Sequence, residues 1–320
     1  MRDIRLRRLL AIDHPILQAG VPWVSNPELV AAVSEAGGLG ILHPSAGMAP
    51  EGDMAGNLRE NIRATRRLTA APFGVCFYLA NPQVEGLIDV ALQEGARIAV
   101  TYGGSPALFT GKLKADDATV LHQVSTVRHA RGAEAQGVDV VIADGYEGGG
   151  IRGPEEIPNL VLVPQIAEAV SIPIIVSGGV MDARGYVAAM ALGAHGVQLG
   201  TRFVATHECI AHPKYKEALL GAIDTGTIVA GRYHWPTRLL RSGKSIRSKN
   251  TEPPQDSDRQ EFWDGELGAT QIREAILDGN LDSSVAYCGA GVGLVSEIMS
   301  AAEVVENLAS GSRTIIAGLR

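Results

Sequence analysis

Cysteine, aromatic side chains and long apolar runs are all scarce in these 320 residues, and each scarcity excludes something. Cys76, Cys209 and Cys288 stand far apart, with no CxxC pair and no metal-ligand spacing. Neither a disulfide framework nor a metal site is expected, and the three read as reduced intracellular thiols. No apolar run approaches the roughly 20 residues that span a bilayer. Near the start, Asp13-His14-Pro15 interrupts the short Leu9-Leu10-Ala11-Ile12 patch, too early for a signal peptide. A cytoplasmic protein with no membrane partner is the expectation. Positive charge is short as well: 28 Lys and Arg against 35 Asp and Glu leave a net charge of -7. No basic stripe offsets that balance, so nucleic acid is not an expected partner.

Glycine and aliphatic residues are what the chain has. Hydrophobic residues make up 46% of it and Gly accounts for 38 positions, against 5% aromatics. A large core threaded by tight turns is implied.

Short apolar runs alternate with helical patterns along the first two-thirds of the chain. The predicted strands are Pro15–Gln18, Leu39–Leu42, Phe73–Tyr78, Arg97–Thr101, Thr119–Val124, Val138–Ala143, Ile172–Val176 and Gly196–Leu199. Eight βα units define an α/β fold, and a TIM (β/α)8 barrel is expected over residues 1–206. An open doubly wound sheet is the alternative that the same alternation permits. Residues 207–283 read as a small, mainly helical lid inserted into the barrel. Within them, 242–260 is polar and Pro-containing, an expected exposed loop. From 284 to 320 the chain turns apolar and is expected to rejoin the barrel.

Two glycine turns fall where barrels bind phosphate. Ser177-Gly178-Gly179 closes the seventh predicted strand, and Gly200-Thr201-Arg202 closes the eighth. Glycine lets a ligand approach the backbone, and N–H groups there can face an anion. A third loop, Asp144-Gly-Tyr-Glu-Gly-Gly-Gly-Ile-Arg-Gly153, follows the sixth strand and suits close contact with a flat ring. No Lys-Ser/Thr follows its glycines, which excludes a P-loop. Gly289-Ala-Gly-Val-Gly293 imitates part of a dinucleotide fingerprint but lacks a βαβ unit around it, so that reading is set aside.

These segments, with Pro15-Ile-Leu-Gln-Ala-Gly20, Pro72-Phe-Gly-Val75, Val197-Gln-Leu-Gly-Thr-Arg-Phe203 and His212-Pro-Lys-Tyr-Lys216, fall in the order of one family. The chain resembles the nitronate monooxygenases, formerly 2-nitropropane dioxygenases, a group that includes NADH:quinone reductases and FMN-dependent enoyl-acyl-carrier-protein reductases. The resemblance implies FMN as cofactor and NAD(P)H as reductant. It places Ala19, Gly20, Cys76, Gln123 and Asp144 near the flavin ring. It places Gly149, Ser177, Gly178, Gly179, Gly200 and Thr201 along the ring edge, ribityl chain and phosphate.

Three positions depart from the family. Cys76 stands where relatives usually carry Asn, and Gln123 where the quinone-reductase branch carries Lys. Ile151 occupies the position of the family's catalytic His. An alkyl side chain moves no proton, so the catalytic residue is unassigned, with His43, Tyr102 and Tyr146 as candidates. Each also has a structural reading: a turn cap for His43, a rim aromatic for Tyr102, and a loop residue for Tyr146. Glu147 could equally pair with Arg152.

The expected activity is an FMN-dependent oxidoreductase passing electrons from NAD(P)H to a quinone, an activated alkene or a similar small acceptor. Oxidation of alkyl nitronates is the nearest rival. A non-redox barrel enzyme acting on a phosphorylated metabolite would want a Lys at a strand end, and none of the six lysines sits there. A flavin-binding protein without catalysis is the remaining alternative. The expected partner is a small-molecule substrate, with a homodimer left open.

Overall fold

In the computed structural model, which describes residues 4–253 and 255–319, each predicted apolar run forms a parallel strand. In chain order the strands are β1 (Ile16–Gln18), β2 (Gly40–Leu42), β3 (Phe73–Tyr78), β4 (Ile98–Tyr102), β5 (Thr119–Val124), β6 (Val140–Asp144), β7 (Gly150–Ile151), β8 (Ile174–Ser177), β9 (Gly196–Leu199), β10 (Thr227–Ala230) and β11 (Thr237–Leu240). All but β7, β10 and β11 lie in one sheet ordered β1-β9-β8-β6-β5-β4-β3-β2. A parallel bridge between Leu17 and Leu39 joins its two edges, where Gln18 N–H donates to Leu39 O at 3.0 Å and Leu39 N–H to Ile16 O at 3.0 Å. The sheet therefore closes, and the fold is a TIM barrel rather than an open doubly wound sheet.

Closure gives every strand two buried faces, which is why the strands read as continuous apolar runs. Leu17, Leu39, Ile41, Cys76, Val100, Leu121, Ile142 and Ile175 fill the barrel interior. Alternate residues such as Val75, Val120, Val141 and Val197 face the surrounding helices. A short helix over Arg5–Leu10, absent from the sequence reading, drives Leu6 and Leu10 into the interior cluster. Leu6 reaches the base of β9, where a Cβ on Gly196 would lie 2.8 Å from its Cδ2. The far, carboxyl end of the barrel carries the βα loops.

The segment 207–283 holds helices Pro213–Leu220, Gly243–Lys249, Arg259–Leu267 and Ala269–Ile276, and also an unexpected hairpin. Its strands β10 and β11 pair antiparallel, and β11 pairs in turn with β7. The expected exposed loop at 242–260 holds between the helices but is corrected at its start, where Ser242 and Ser245 form a capping box that begins the Gly243–Lys249 helix, and at its end, where helix Arg259–Leu267 begins. Ser245 and Ser248 are buried on the inner face of the first of these, so a polar sequence hides a packed helix. After 284 the chain passes the barrel mouth and ends in helix Ala301–Gly318, against helices Pro27–Glu35 and Ala183–Ala191. Among the described residues no helix is long and apolar enough to cross a membrane.

Candidate active site at the open end of the barrel

Side-chain alternation decides what reaches the open end. Inward positions along each strand end at Ala19 above Leu17, His43 above Ile41, Tyr78 above Cys76 and Tyr102 above Val100. Gln123 stands above Leu121, Asp144 above Ile142 and Ser177 above Ile175. Most of these rim residues are half-buried over a fully buried layer, and together they ring the recess that βα loops enclose at the carboxyl end of a barrel.

One wall of the recess is glycine-rich. Gly178 and Gly179 take φ values of +94° and +80°, conformations that side chains rarely adopt. A Cβ on Gly178 would lie 2.7 Å from the Gly148 nitrogen, so the β6 and β8 loops touch backbone to backbone. Gly200 differs: a Cβ there would meet nothing nearer than Val21 Cγ2 at 3.6 Å. A side chain at the end of β9 would therefore make only ordinary van der Waals contacts within the protein. Thr201 Oγ1 accepts the Gly289 N–H at 3.0 Å, which leaves its hydroxyl hydrogen for another acceptor. Gln198 Oε1, buried beside Ser177 on the inward face of β9, has no partner among the described residues. Open backbone, free donors and an orphaned acceptor fit a polar ligand with a phosphate end, as a flavin nucleotide has.

Two features of this wall escaped the sequence reading. The Gly289–Gly293 run, set aside as an incomplete fingerprint, makes a 3-10 turn against Thr201, Glu147 and Met181 at the same corner. Asn159 Nδ2 donates to Ser177 O at 2.8 Å and Gly178 O at 2.9 Å and so holds the glycine turn. Asn159 lies 18 residues from the turn it braces, and no motif announced it.

The β6 loop is a fixed frame rather than a free lid. Arg152 Nη1 meets Asp144 Oδ2 at 2.5 Å, and Gln123 Nε2 donates to the same oxygen at 2.6 Å. Arg152 thus pairs with Asp144, not with Glu147. Glu147 instead accepts the Asn159 N–H at 2.9 Å, while its own carbonyl accepts the Ala290 N–H at 2.8 Å. Desolvation raises the Glu147 pKa. Ile151, half-buried against the core, has its backbone paired with Thr237 of β11.

The catalytic candidates separate in space. The Tyr146 hydroxyl is already engaged: it donates to Glu156 Oε1 at 2.8 Å and accepts from Arg232 Nη2 at 2.7 Å. Arg238 lies over its ring, 5.1 Å from the centroid. His43 and Tyr102 come together on the opposite wall, His43 Nε2 lying 3.4 Å from Tyr102 Oη. Cys76 Sγ donates to Gly20 O at 3.6 Å, and burial pushes its pKa up, so it is a neutral thiol and no nucleophile.

A closed barrel whose carboxyl end joins a glycine corner to a ring of polar strand ends is an enzyme-type barrel suited to a phosphate-bearing ligand. A family profile described as nitronate monooxygenase matches residues 4–88 and 83–311. A Mycobacterium tuberculosis (3aS,4S,5R,7aS)-5-hydroxy-7a-methyl-1-oxo-octahydro-1H-indene-4-carboxyl-CoA dehydrogenase is 31% identical, the alignment covering 95% of this chain and 94% of that one. A probable nitronate monooxygenase of Staphylococcus haemolyticus is 32% identical over 78% of each chain. The solved structure of FabK from Thermotoga maritima superposes with a TM-score of 0.90 at 36% identity, covering 99% of this chain and 98% of that one. A nitroalkane oxidase from Streptomyces ansochromogenes superposes at 0.83 and 27% identity, covering 98% and 99%. The chain belongs to the nitronate monooxygenase family.

Proposed function

We propose that this protein is an FMN-dependent reductase that couples oxidation of NAD(P)H to reduction of a quinone, an activated alkene or a similar small acceptor. Ile151 carries the reading. It stands where the family's proton-transferring His belongs, and the β7–β11 pairing fixes its backbone. Hydride transfer from a nicotinamide needs no side-chain proton, so that half of the reaction loses nothing.

A bound flavin supplies two-electron, hydride-level chemistry, and the protein's share is to hold, orient and desolvate. In this reading Gly178, Gly179, Gly200 and Thr201 take the phosphate, with Gly149 and Ser177 beside the ribityl chain. Ala19, Gly20, Cys76, Gln123 and Asp144 border the ring. Gln198 and the Gly289 turn join that set on the geometry above. Nitronate oxidation is the second reading, favoured by the name of the Staphylococcus relative and opposed by Ile151. The name of the Mycobacterium relative, a dehydrogenase of a carboxyl-CoA compound, adds CoA thioesters to the substrates worth trying, there as hydride donors.

The test is an absorbance spectrum of the purified protein, followed by anaerobic NAD(P)H and then 1,4-benzoquinone or 2-cyclohexenone. Flavin bleaching and recovery are expected, with FMN as the released ligand. A colourless protein that FMN cannot reconstitute would sink the reading.

A further inference from the structure

The wall opposite the glycine corner carries polar groups that cofactor binding leaves unused. Two donors converge on His43 Nδ1: the Ser45 backbone N–H at 3.2 Å and the Ser45 hydroxyl at 2.8 Å. The hydroxyl oxygen itself accepts the Trp23 N–H at 3.2 Å, which leaves its hydrogen for the ring. A ring nitrogen that accepts two hydrogen bonds carries no proton, so the hydrogen of the neutral imidazole sits on Nε2. Burial keeps the imidazole neutral, with its pKa pushed down to about 3. The 3.4 Å contact is then Nε2–H donating to Tyr102 Oη. A phenol oxygen that accepts retains its own hydrogen, and no described residue receives it.

The surroundings hold this arrangement. Trp23 reaches Ser45 from a left-handed backbone, φ 70°, uncommon for so bulky a residue, while its carbonyl accepts the Gly47 N–H at 2.9 Å. The Tyr78 ring lies 5.4 Å from the Tyr102 ring. Cys76, Tyr78 and Tyr287 are the titratable groups acting on the phenol, and burial keeps each of them neutral. The Tyr102 pKa is likewise raised, so the phenol offers a hydrogen bond without ionising.

We infer that Tyr102, oriented by His43, is the donor that receives the acceptor's oxygen in the recess, on the wall opposite the glycine corner. The inference rests on the reductase reading and names its substrate class: compounds whose carbonyl or quinone oxygen gains negative charge as they are reduced. Tyr102 stabilises that charge by a hydrogen bond alone. No bond forms or breaks at its hydroxyl, and water supplies the proton that completes the reduced product. His43 is a positioning residue, because it acts through Tyr102.

Two measurements decide it without turnover. The ¹⁵N spectrum of His43 should show the Nε2–H tautomer, persisting to pH 5. Binding of 4-nitrophenolate, read by its absorbance shift, should weaken at least ~10-fold in Tyr102→Phe. His43→Leu should weaken it too, and His43→Gln, which keeps an N–H donor, should restore most of the loss. In turnover of 2-cyclohexenone, Tyr102→Phe should lower kcat by about 10²–10³-fold, the usual cost of one oxyanion donor, with KM little changed. A proton on Nδ1, absence of 4-nitrophenolate binding, or wild-type binding by Tyr102→Phe would each overturn the inference. Failure of NAD(P)H to reduce the wild-type flavin would remove the reductase reading instead, and the tautomer and phenolate results would still judge the pair.

Discussion

Arg152 Nη1 and Asp144 Oδ2 lie 2.5 Å apart, with their side chains only 7% and 6% exposed. The pair joins the end of β6 to the far end of its own loop. Arg152 also donates to Gly150 O at 3.2 Å and Gly145 O at 3.3 Å, so one guanidinium laces the loop shut. The backbone that faces the glycine corner is thereby set before any ligand arrives.

Breaking that pair from one side should cost more than removing both members. Arg152→Met keeps the aliphatic stem and leaves the Asp144 carboxylate buried, with Gln123 its remaining donor. A loss of about 3–5 kcal/mol is expected in urea unfolding, the usual cost of an orphaned buried charge. Adding Asp144→Asn should recover much of it. An Arg152→Met protein as stable as wild type would show that the ion pair does not hold the loop.

At Gly200 the expected effect is on the cofactor, not the fold. The nearest atoms to a Cβ are Val21 Cγ2 at 3.6 Å and Ala19 Cβ at 3.8 Å, so the protein alone has room for a side chain. Gly200→Val should retain the wild-type circular dichroism spectrum and lose flavin absorbance. Gly178→Ala should behave differently, since its φ is +94° and its Cβ would strike the Gly148 nitrogen at 2.7 Å. Full flavin occupancy in Gly200→Val would place the phosphate elsewhere.

Much of this architecture was legible in the sequence because a closed parallel sheet imposes simple patterns. Phe73–Tyr78 and Thr119–Val124 read as buried strands to the residue, since β-branched, aromatic and aliphatic residues dominate both runs. The glycine corner was legible because position after a strand is itself information. Features that depend on distant partners were hidden. Ser242 to Lys249 is too polar to look packed until Ser245 and Ser248 are seen against the core. The β10–β11 hairpin did leave a trace, the β-branched run Thr227-Ile-Val229 with Gly231 shortly after it. His43 and Tyr102 are 59 residues apart, and each alone looked ordinary. The parallel order β4-β3-β2 sets their strand ends one strand apart, and the curvature of the sheet turns both inward.

Acid should destabilise the fold through His122. This side chain is buried on the outer face of β5, its Nδ1 2.8 Å from Thr101 Oγ1, and burial lowers its pKa to about 4. The unfolded chain binds a proton near pH 6.5, the folded one only near pH 4, so between those values the unfolded state holds more protons. Stability must then fall as pH drops through that window, by roughly 2 kcal/mol from this group at pH 4.5. His122→Asn should flatten the dependence of the urea midpoint between pH 7 and 4.5 by a comparable amount. An unchanged slope would assign the acid sensitivity to other groups.

One alkyl side chain withholds proton transfer from this site. Ile151 has no proton to give, whereas Tyr102 can donate a hydrogen bond but stays protonated. Wild-type protein should therefore turn over quinone and show weak or no oxidation of propyl-1- or propyl-2-nitronate. Ile151→His restores a titratable group on a backbone whose position the Thr237 pairing already fixes, so the ring should arrive without rearranging the loop. Proton transfer by a positioned side chain is typically worth about 10²–10⁴-fold, and nitronate turnover in the variant should rise toward that range. Quinone turnover should change far less, because neither hydride transfer nor the Tyr102 hydrogen bond involves residue 151. The decisive comparison is steady-state kinetics of both proteins on both substrates. If wild type already oxidises nitronates at the rate its His-bearing relatives reach, another residue performs the proton transfer and the reductase assignment fails.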